Sequence, residues 1–417
     1  MPPAWLIGRR SGILKTIPFI GTLAMLRKNR LFTPGPTPLL PQAQTAMASY
    51  SAHHRTADFR ALFTRVLADV KEFIGTKNDV LVLTSSGTGF MEASVSNLTS
   101  PGDRVLVLTA GKFGERWTSL AKAFGCAVET VTAPYGETFS LEEVSRKLTP
   151  DIRCVYVQAT ESSTGARHDV EQIAKLVRAL PDTLPGTLLV VDAITGLGTT
   201  NFDVDAWGID IILGGSQKAL MIPPGLAYGA ISERAWQRME RAKSPRFYFD
   251  LRKERKAAAK AEAANTPATA LFAGMAAALD YVRQMGDGNL AAGRDALIAN
   301  AELCAAMTRA AVEALGLKLF APRSPAAALT AIAAPAGIDS TAICKRFREQ
   351  FGAVVANGNA ELKGQLFRIA HLGYYDYLDT VGVLAALEHV IAEVTGNAVE
   401  FGCAVRAAQQ VYAKAVH

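Results

Sequence analysis

A chain of 417 residues, 49% apolar and 20% charged, is long enough for one large domain plus a smaller one, each with a core. Its net charge of +6 comes from residues 1–30, where Arg9, Arg10, Lys15, Arg27, Lys28 and Arg30 meet no acid; the rest carries 38 basic and 38 acidic side chains, and nothing in that balance suggests a nucleic-acid groove, so no nucleic-acid partner is expected. Five cysteines (126, 154, 304, 344 and 403) show no metal-ligand spacing, so no metal site is expected, and reduced thiols point to a reducing, cytoplasmic compartment.

Residues 13–26 are mostly apolar but broken by Lys15, Pro18 and Gly21, too short and interrupted for a membrane span. With flanking basic residues, the segment suits an anionic membrane surface or a targeting signal, and equally a poorly ordered extension. No A-x-A-like cleavage site follows it, which argues against secretion. From Leu31 the chain changes character. Thr33-Pro34-Gly35-Pro36-Thr37-Pro38 is a rigid extended stretch in which Gly35 permits a close backbone approach. His53 and His54 precede a helical pattern over residues 58–75, with Phe59, Leu62, Val66, Val70 and Ile74 on one face. Without a third ligand nearby, the two histidines read as polar residues at a helix start.

A regular alternation follows. Strands are expected at residues 80–84, 104–109, 127–131, 154–158, 187–192, 209–214 and 226–231, with helices at 90–98, 115–124, 141–148 and 170–180. This is an α/β pattern: a mainly parallel sheet in an α/β/α sandwich, with ligands bound at the carboxyl ends of the strands. Residues 251–264 read as a solvated helix and 268–285 as another. Beyond residue 290 the pattern is mixed: a helix to about 315, strands near 317–320, 328–333, 354 and 365–370, and helices from 340 and 380. The expected organisation is therefore an extension over 1–30, a large domain over 31–290 and a smaller α+β domain over 291–417.

Three features carry chemistry. Ser85-Ser86-Gly87-Thr88-Gly89 lies between a strand and a helix, where free N–H groups and a hydroxyl cradle an anion; it lacks the lysine of a nucleotide P-loop. Asp192 ends a buried strand, where a carboxylate can hold a protonated ring nitrogen. Lys218 follows Gly214-Gly215 at the end of another core strand. A buried ammonium there costs several kcal/mol unless paired or converted to a Schiff base, whereas an isolated lysine would simply reach solvent.

The stretches Ser86-Gly87-Thr88-Gly89, Glu161-Ser162-Ser163-Thr164-Gly165, Val191-Asp192-Ala193, Gly215-Ser216-Gln217-Lys218 and Phe367-Arg368-Ile369 resemble the class V aminotransferases. These are fold-type I pyridoxal-phosphate enzymes, and the likeness is greatest to the alanine–glyoxylate and serine–pyruvate group. It runs from Leu31 to about residue 395. The resemblance implies Lys218 as covalent anchor and proton-transfer base, and Asp192 at the pyridine nitrogen. It implies Thr88 with the Gly89 and Phe90 amides, helped by Gln217, at the phosphate. Ser162 would lie near the phenolic oxygen, with Ile194 on one ring face and Phe113 of Gly111-Lys112-Phe113-Gly114 on the other. Arg368 would clamp the substrate carboxylate with Gly35 close by. Thr266 would reach the cofactor of a second subunit in a homodimer with shared sites.

Two positions depart from the family pattern: Ala263 stands where some relatives have tyrosine, and Ala370 where glycine is frequent. The implied reaction moves an amino group from alanine or serine to glyoxylate or pyruvate, in a ping-pong cycle through the pyridoxamine form. Alternatives on this fold are a lyase of the desulfurase kind, for which residues 356–364 lack the needed cysteine, and a 2-aminoethylphosphonate transaminase. A membrane-associated binding protein is the non-enzymatic alternative.

Overall fold

The computed structural model describes residues 27–180 and 186–416, so the expectations for the basic apolar extension fall almost wholly outside the described residues. The strands are β1 (Arg30–Phe32), β2 (Asp79–Ser85), β3 (Arg104–Thr109), β4 (Ala127–Thr132), β5 (Ile152–Gln158), β6 (Thr160–Glu161), β7 (Ala166–Arg167), β8 (Leu188–Asp192), β9 (Ile211–Gly215), β10 (Gly225–Ile231), β11 (Leu329–Ala333), β12 (Ala353–Asn357) and β13 (Leu366–Ala370). The helices are α1 (Pro41–Ser49), α2 (Ala57–Ile74), α3 (Gly87–Leu98), α4 (Lys112–Ala123), α5 (Leu141–Lys147), α6 (Val170–Arg178), α7 (Glu233–Met239), α8 (Leu251–Ala258), α9 (Thr269–Met285), α10 (Leu290–Ala314), α11 (Ser340–Phe351), α12 (Tyr377–Thr395) and α13 (Cys403–Val416).

The main sheet has the order β2-β10-β9-β8-β5-β3-β4. Its pairs are parallel except those of β10, which is antiparallel to both β2 and β9. Side chains of one strand point alternately to opposite faces, so each strand feeds two cores. Val80, Leu106, Val155, Leu189 and Ile212 pack on one side with Phe63 and Val66 of α2 and Phe272 and Met275 of α9. Leu81, Val107, Tyr156, Val190 and Leu213 pack on the other with Phe90 of α3, Trp117 of α4 and Trp236 of α7. Burial on both faces explains why these strands read as continuous apolar runs. The architecture is the α/β sandwich on a mostly parallel sheet that the sequence predicts.

A second sheet, β1-β12-β13-β11, packs its own core of Phe32, Phe347, Phe367, Ile369, Leu384 and Leu387. Arg30–Phe32 thus crosses from the start of the described chain to lie parallel to β12. Among the described residues no helix is long and apolar enough to cross a membrane.

Several elements differ from expectation. Residues 317–320 form no strand: Gly316, at φ 68°, ends the α10 turn, Pro322 follows, and a single bridge, Leu319 to Ile332, remains. The helix expected over 251–264 stops at Ala258, because the buried Glu254 carboxylate accepts the Ala264 N–H at 3.1 Å and turns the chain back. Helix α1, α7 and α13 were not legible as helices; α1 begins at a proline, a residue favoured in a first turn, but carries few core residues.

One polar contact holds the sheet to its helices. Asp210, almost fully buried just before β9, accepts from Leu189 N at 2.9 Å, Arg178 Nη2 at 2.7 Å and Ser232 Oγ at 2.8 Å. Removing a buried carboxylate that satisfies a half-buried cation and a buried amide strands both partners. Asp210→Ala is therefore expected to lower unfolding stability by about 3 kcal/mol, seen as a lower urea midpoint with unchanged slope.

Candidate active site

The carboxyl ends of β2, β5, β8 and β9 deliver a set of polar residues to one place, as parallel sheets do. A cavity of about 180 Å³ is lined there by Gly35, Ser86, Gly87, Thr88, Phe113, Arg116, Thr160, Ser162, Asp192, Ile194, Thr195, Gln217 and Lys218.

Lys218 is 8% exposed. Its Nζ donates to the Pro34 carbonyl at 2.5 Å. The segment that brings Pro34 there is stitched to the lysine loop by three bonds: Thr37 N to Gln217 O at 3.2 Å, Thr37 Oγ1 to Lys218 O at 3.1 Å and Leu40 N to Met221 O at 2.9 Å. The close approach expected at Gly35 is to this side chain. Gly35 has φ +138°, and a Cβ on it would lie 2.5 Å from Lys218 Nζ, so a larger residue here would strain the backbone and displace the ammonium.

Asp192, 5% exposed, ends β8 and accepts from Ile194 N at 2.9 Å, a bond that fixes the carboxylate at the cavity wall. Burial pushes Asp192 up to about 6 and the nearby Lys218 charge opposes it. Burial pushes Lys218 down to about 8, against the attraction of Asp192.

Across the cavity, helix α3 opens at Ser86, and its Gly89 N–H donates to Ser86 O at 2.8 Å. The first amides of the helix, from Gly87 onward, are the ones a helix start leaves without an intrahelical acceptor. A Cβ on Gly87 would come within 2.3 Å of Ile194 Cδ1, so glycine lets this helix end meet the Asp192 turn. Half-buried Gln217 presents a buried Oε1 with no partner among the described residues.

Glu161 is fully buried and anchors the start of α4. It accepts from Phe113 N and Gly114 N at 3.1 Å each, from Ser163 N at 3.1 Å and from Ser163 Oγ at 2.6 Å. That fixes Phe113 at the cavity. Arg368 on β13 is 5% exposed. Its guanidinium donates to Ser162 O at 2.6 Å, Asn357 O at 2.5 Å and Asn359 Oδ1 at 3.1 Å, while Nε finds no partner among the described residues. Burial holds it at about 10, below the usual arginine range.

A family model for aminotransferase class-V matches residues 31–360. The chain belongs to that family. This transaminase is 36% identical to a soluble hydrogenase small subunit of Synechococcus, over 94% of this chain and 100% of that one. It is 33% identical to an L-aspartate–glyoxylate aminotransferase of Paracoccus denitrificans, over 93% and 97%. A solved structure of an aspartate aminotransferase of subgroup IV from Thermus thermophilus matches with a TM-score of 0.80 at 35% identity, covering 88% of this chain and all of that one.

Of the residues singled out by sequence, the transaminase brings Gly35, Thr88, Phe113, Ser162, Asp192, Ile194, Gln217 and Lys218 to one cavity. Arg368 reaches it through its bond to Ser162. Gly89 and Phe90 do not line it; the Phe90 ring lies in the core behind α3. Exposed Thr266 lines a separate recess with Ala263, Glu254, Tyr248 and Phe249. Sequence reasoning passed over Arg116, Thr160 and Thr195, which line the cavity, and Glu161, which supports it. The Arg116 signal was present: with α4 starting at Lys112, Phe113 and Arg116 are three apart on one helix face.

The two shifted groups give opposite pH signatures in the ligand-free protein. Asp192 holds its proton to about pH 6 when folded but to its ordinary 3.8 when unfolded, so its stabilising contribution is present below 3.8 and lost as pH rises through 6. Lys218 is the reverse: its contribution is present above 10.5 and lost as pH falls through about 8. Asp192→Asn is accordingly expected to be more favourable to stability, relative to the parent, at pH 7.5 than at pH 3.8, measured by urea unfolding of ligand-free protein.

Proposed function

We propose that this transaminase binds pyridoxal 5′-phosphate on Lys218 and moves the amino group of a small amino acid, alanine or serine, to glyoxylate or pyruvate. The observation that carries the reading is a buried lysine sharing one cavity with a buried carboxylate, an aromatic ring and a helix N-terminus. The donor set fits the cofactor. The Gln217 side-chain amide, whose Oε1 has no partner among the described residues, and the first amides of α3, which a helix leaves without an intrahelical acceptor, are polar groups open to a ligand.

Asp192 would face the ring nitrogen, where its carboxylate favours the protonated form. Phe113 and Ile194 would enclose the ring, and Ser162 would hydrogen-bond its phenolic edge. The α3 N-terminus with Thr88 would take the phosphate. When bound, the cofactor supplies an electron sink that makes the Cα–H of a linked amino acid acidic.

Lys218 is suited to carry the Cα proton. A lysine held near 8 is neutral often enough at physiological pH to accept a proton and cationic often enough to return it. Arg368, with an unpartnered Nε and three carbonyl acceptors in place of a carboxylate, is suited to orient the donor through its α-carboxylate. The hydroxyls of Thr160, Thr195 and Ser162 give a lining that accommodates a short or hydroxylated side chain. None of Cys126, Cys154, Cys304, Cys344 and Cys403 lines the cavity, so nothing favours desulfurase chemistry.

The reading extends to a homodimer in which Thr266 of each subunit serves the other's cofactor, and to a cytoplasmic location. Exposure of Thr266 away from this chain's own cavity supports the first; the reduced cysteine set supports the second.

Single-turnover bleaching of the lysine-linked cofactor absorbance tests the substrate. Alanine or serine is expected to discharge it faster than aspartate or 2-aminoethylphosphonate, with glyoxylate or pyruvate restoring it. Discharge by none of the four, or sulfide release from cysteine, overturns the proposal. Lys218→Ala is expected to lose that absorbance altogether. Arg368→Leu is expected to raise KM for the amino donor roughly 100-fold, the scale of removing one partner of a buried charge pair, with cofactor absorbance retained.

A further inference from the structure

We infer that Arg116 is the cation of the phosphate seat, clamping the cofactor's phosphate ester together with Thr88 and the α3 N-terminus. The inference rests on the pyridoxal-phosphate reading above and adds to it a residue that the sequence reading left out.

Arg116 Nη1 donates to Thr88 Oγ1 at 3.0 Å, so the guanidinium stands beside the first free amides of α3. Its Cζ lies 4.8 Å from the centroid of the Phe113 ring, a stacking contact that holds the fork in place. Among the described residues no carboxylate pairs with it. Several other part-buried arginines are matched by a carboxylate, Arg178 by Asp210, Arg238 by Asp103 and Arg283 by Asp69, whereas Arg368 is held by carbonyl oxygens. An arginine left without an anion in a half-buried pocket is a cost unless a ligand supplies one.

The charge balance of the cavity points the same way. Its charged lining residues are Arg116, Asp192 and Lys218. Lys218 would be committed to the cofactor's aldehyde carbon, and Asp192 repels a phosphate. Helix-terminal amides contribute only part of the charge that a dianion needs. Arg116 is then the one lining side chain with a permanent positive charge to spare, and its planar fork suits two phosphate oxygens at once. From the Thr266 recess, Ala263 offers no side-chain donor. Phe113 ties the two functions together: the ring expected to stack on the cofactor is the ring on which Arg116 rests.

The test titrates the full-length protein, stripped of cofactor, with pyridoxal phosphate and with pyridoxal, read by absorbance and fluorescence. The parent protein is expected to prefer the phosphate ester, and inorganic phosphate to compete with it. Arg116→Met should weaken pyridoxal phosphate about 30-fold or more, leave pyridoxal within twofold and blunt the competition by inorganic phosphate; Arg116→Lys should recover part of the loss. Equal loss for both compounds would mean a structural role and overturn the assignment. So would unchanged phosphate-ester affinity, including the case in which only the KM for aspartate rises and Arg116 serves a substrate carboxylate. Failure of the parent protein to bind either compound would instead remove the pyridoxal-phosphate reading itself.

Discussion

The constraint on which the site depends is the burial of one ammonium group. Lys218 is 8% exposed, and a charge so placed costs several kcal/mol unless it is partnered or given up. The structure answers in three ways at once. The Pro34 carbonyl accepts from Nζ, the Asp192 carboxylate supplies opposite charge, and the pKa falls so that the neutral amine is reachable. Each answer brings a different part of the chain to the same point, because Pro34 lies in the N-terminal strap, Asp192 ends β8 and Lys218 follows β9. Gly35 is the residue that makes this geometry possible, since a side chain there would occupy the space of the ammonium.

Around that pair, a second buried charge organises the opposite wall. Glu161 spends its carboxylate on backbone and hydroxyl donors at the start of α4 and the Ser163 turn. A helix start held by a carboxylate is favoured by the helix dipole and by the four amides a helix leaves open there. The result is that Phe113 faces the cavity without a polar side chain of its own to hold it. Arg368 is positioned from the other sheet: β13 sets it against Ser162 O, in the turn after β6, so the C-terminal sheet meets the edge of the pocket there. The same region carries the Lys112 ion pairs to Glu115 and to Glu361, the latter in the turn beyond Asn359.

What was readable in the chain, and what was not, follows from the physics of each element. The main-sheet strands were legible because both faces are buried, giving short apolar runs bounded by turns. Residues 317–320 had the same local look, but no neighbouring strand accepts them beyond a single bridge, and pairing is not a local property. Helix α13 lay beyond the expected terminal helix; it is held by Glu388 accepting from Gly402, Ala404 and Val405, a contact that exists only once α12 has folded. Helix α8 was overextended for a similar reason, since Glu254 captures the amide of Ala264.

The sequence by itself determined the α/β architecture and the family, and it singled out Lys218, Asp192 and Arg368 as candidate site residues, because these sit in local motifs in or at the ends of strands whose chemistry is carried by residue type. Tertiary structure decided what those groups face. Only the folded chain shows that Gly35 yields its space to Lys218, that Glu161 sets Phe113, that Gly89 turns its amide inward to Ser86, and that Arg116 meets Thr88 with no carboxylate among the described residues in ion-pair contact with it. The physical reason is that charge and room in a pocket are sums over segments far apart in the chain, and no local pattern contains that sum.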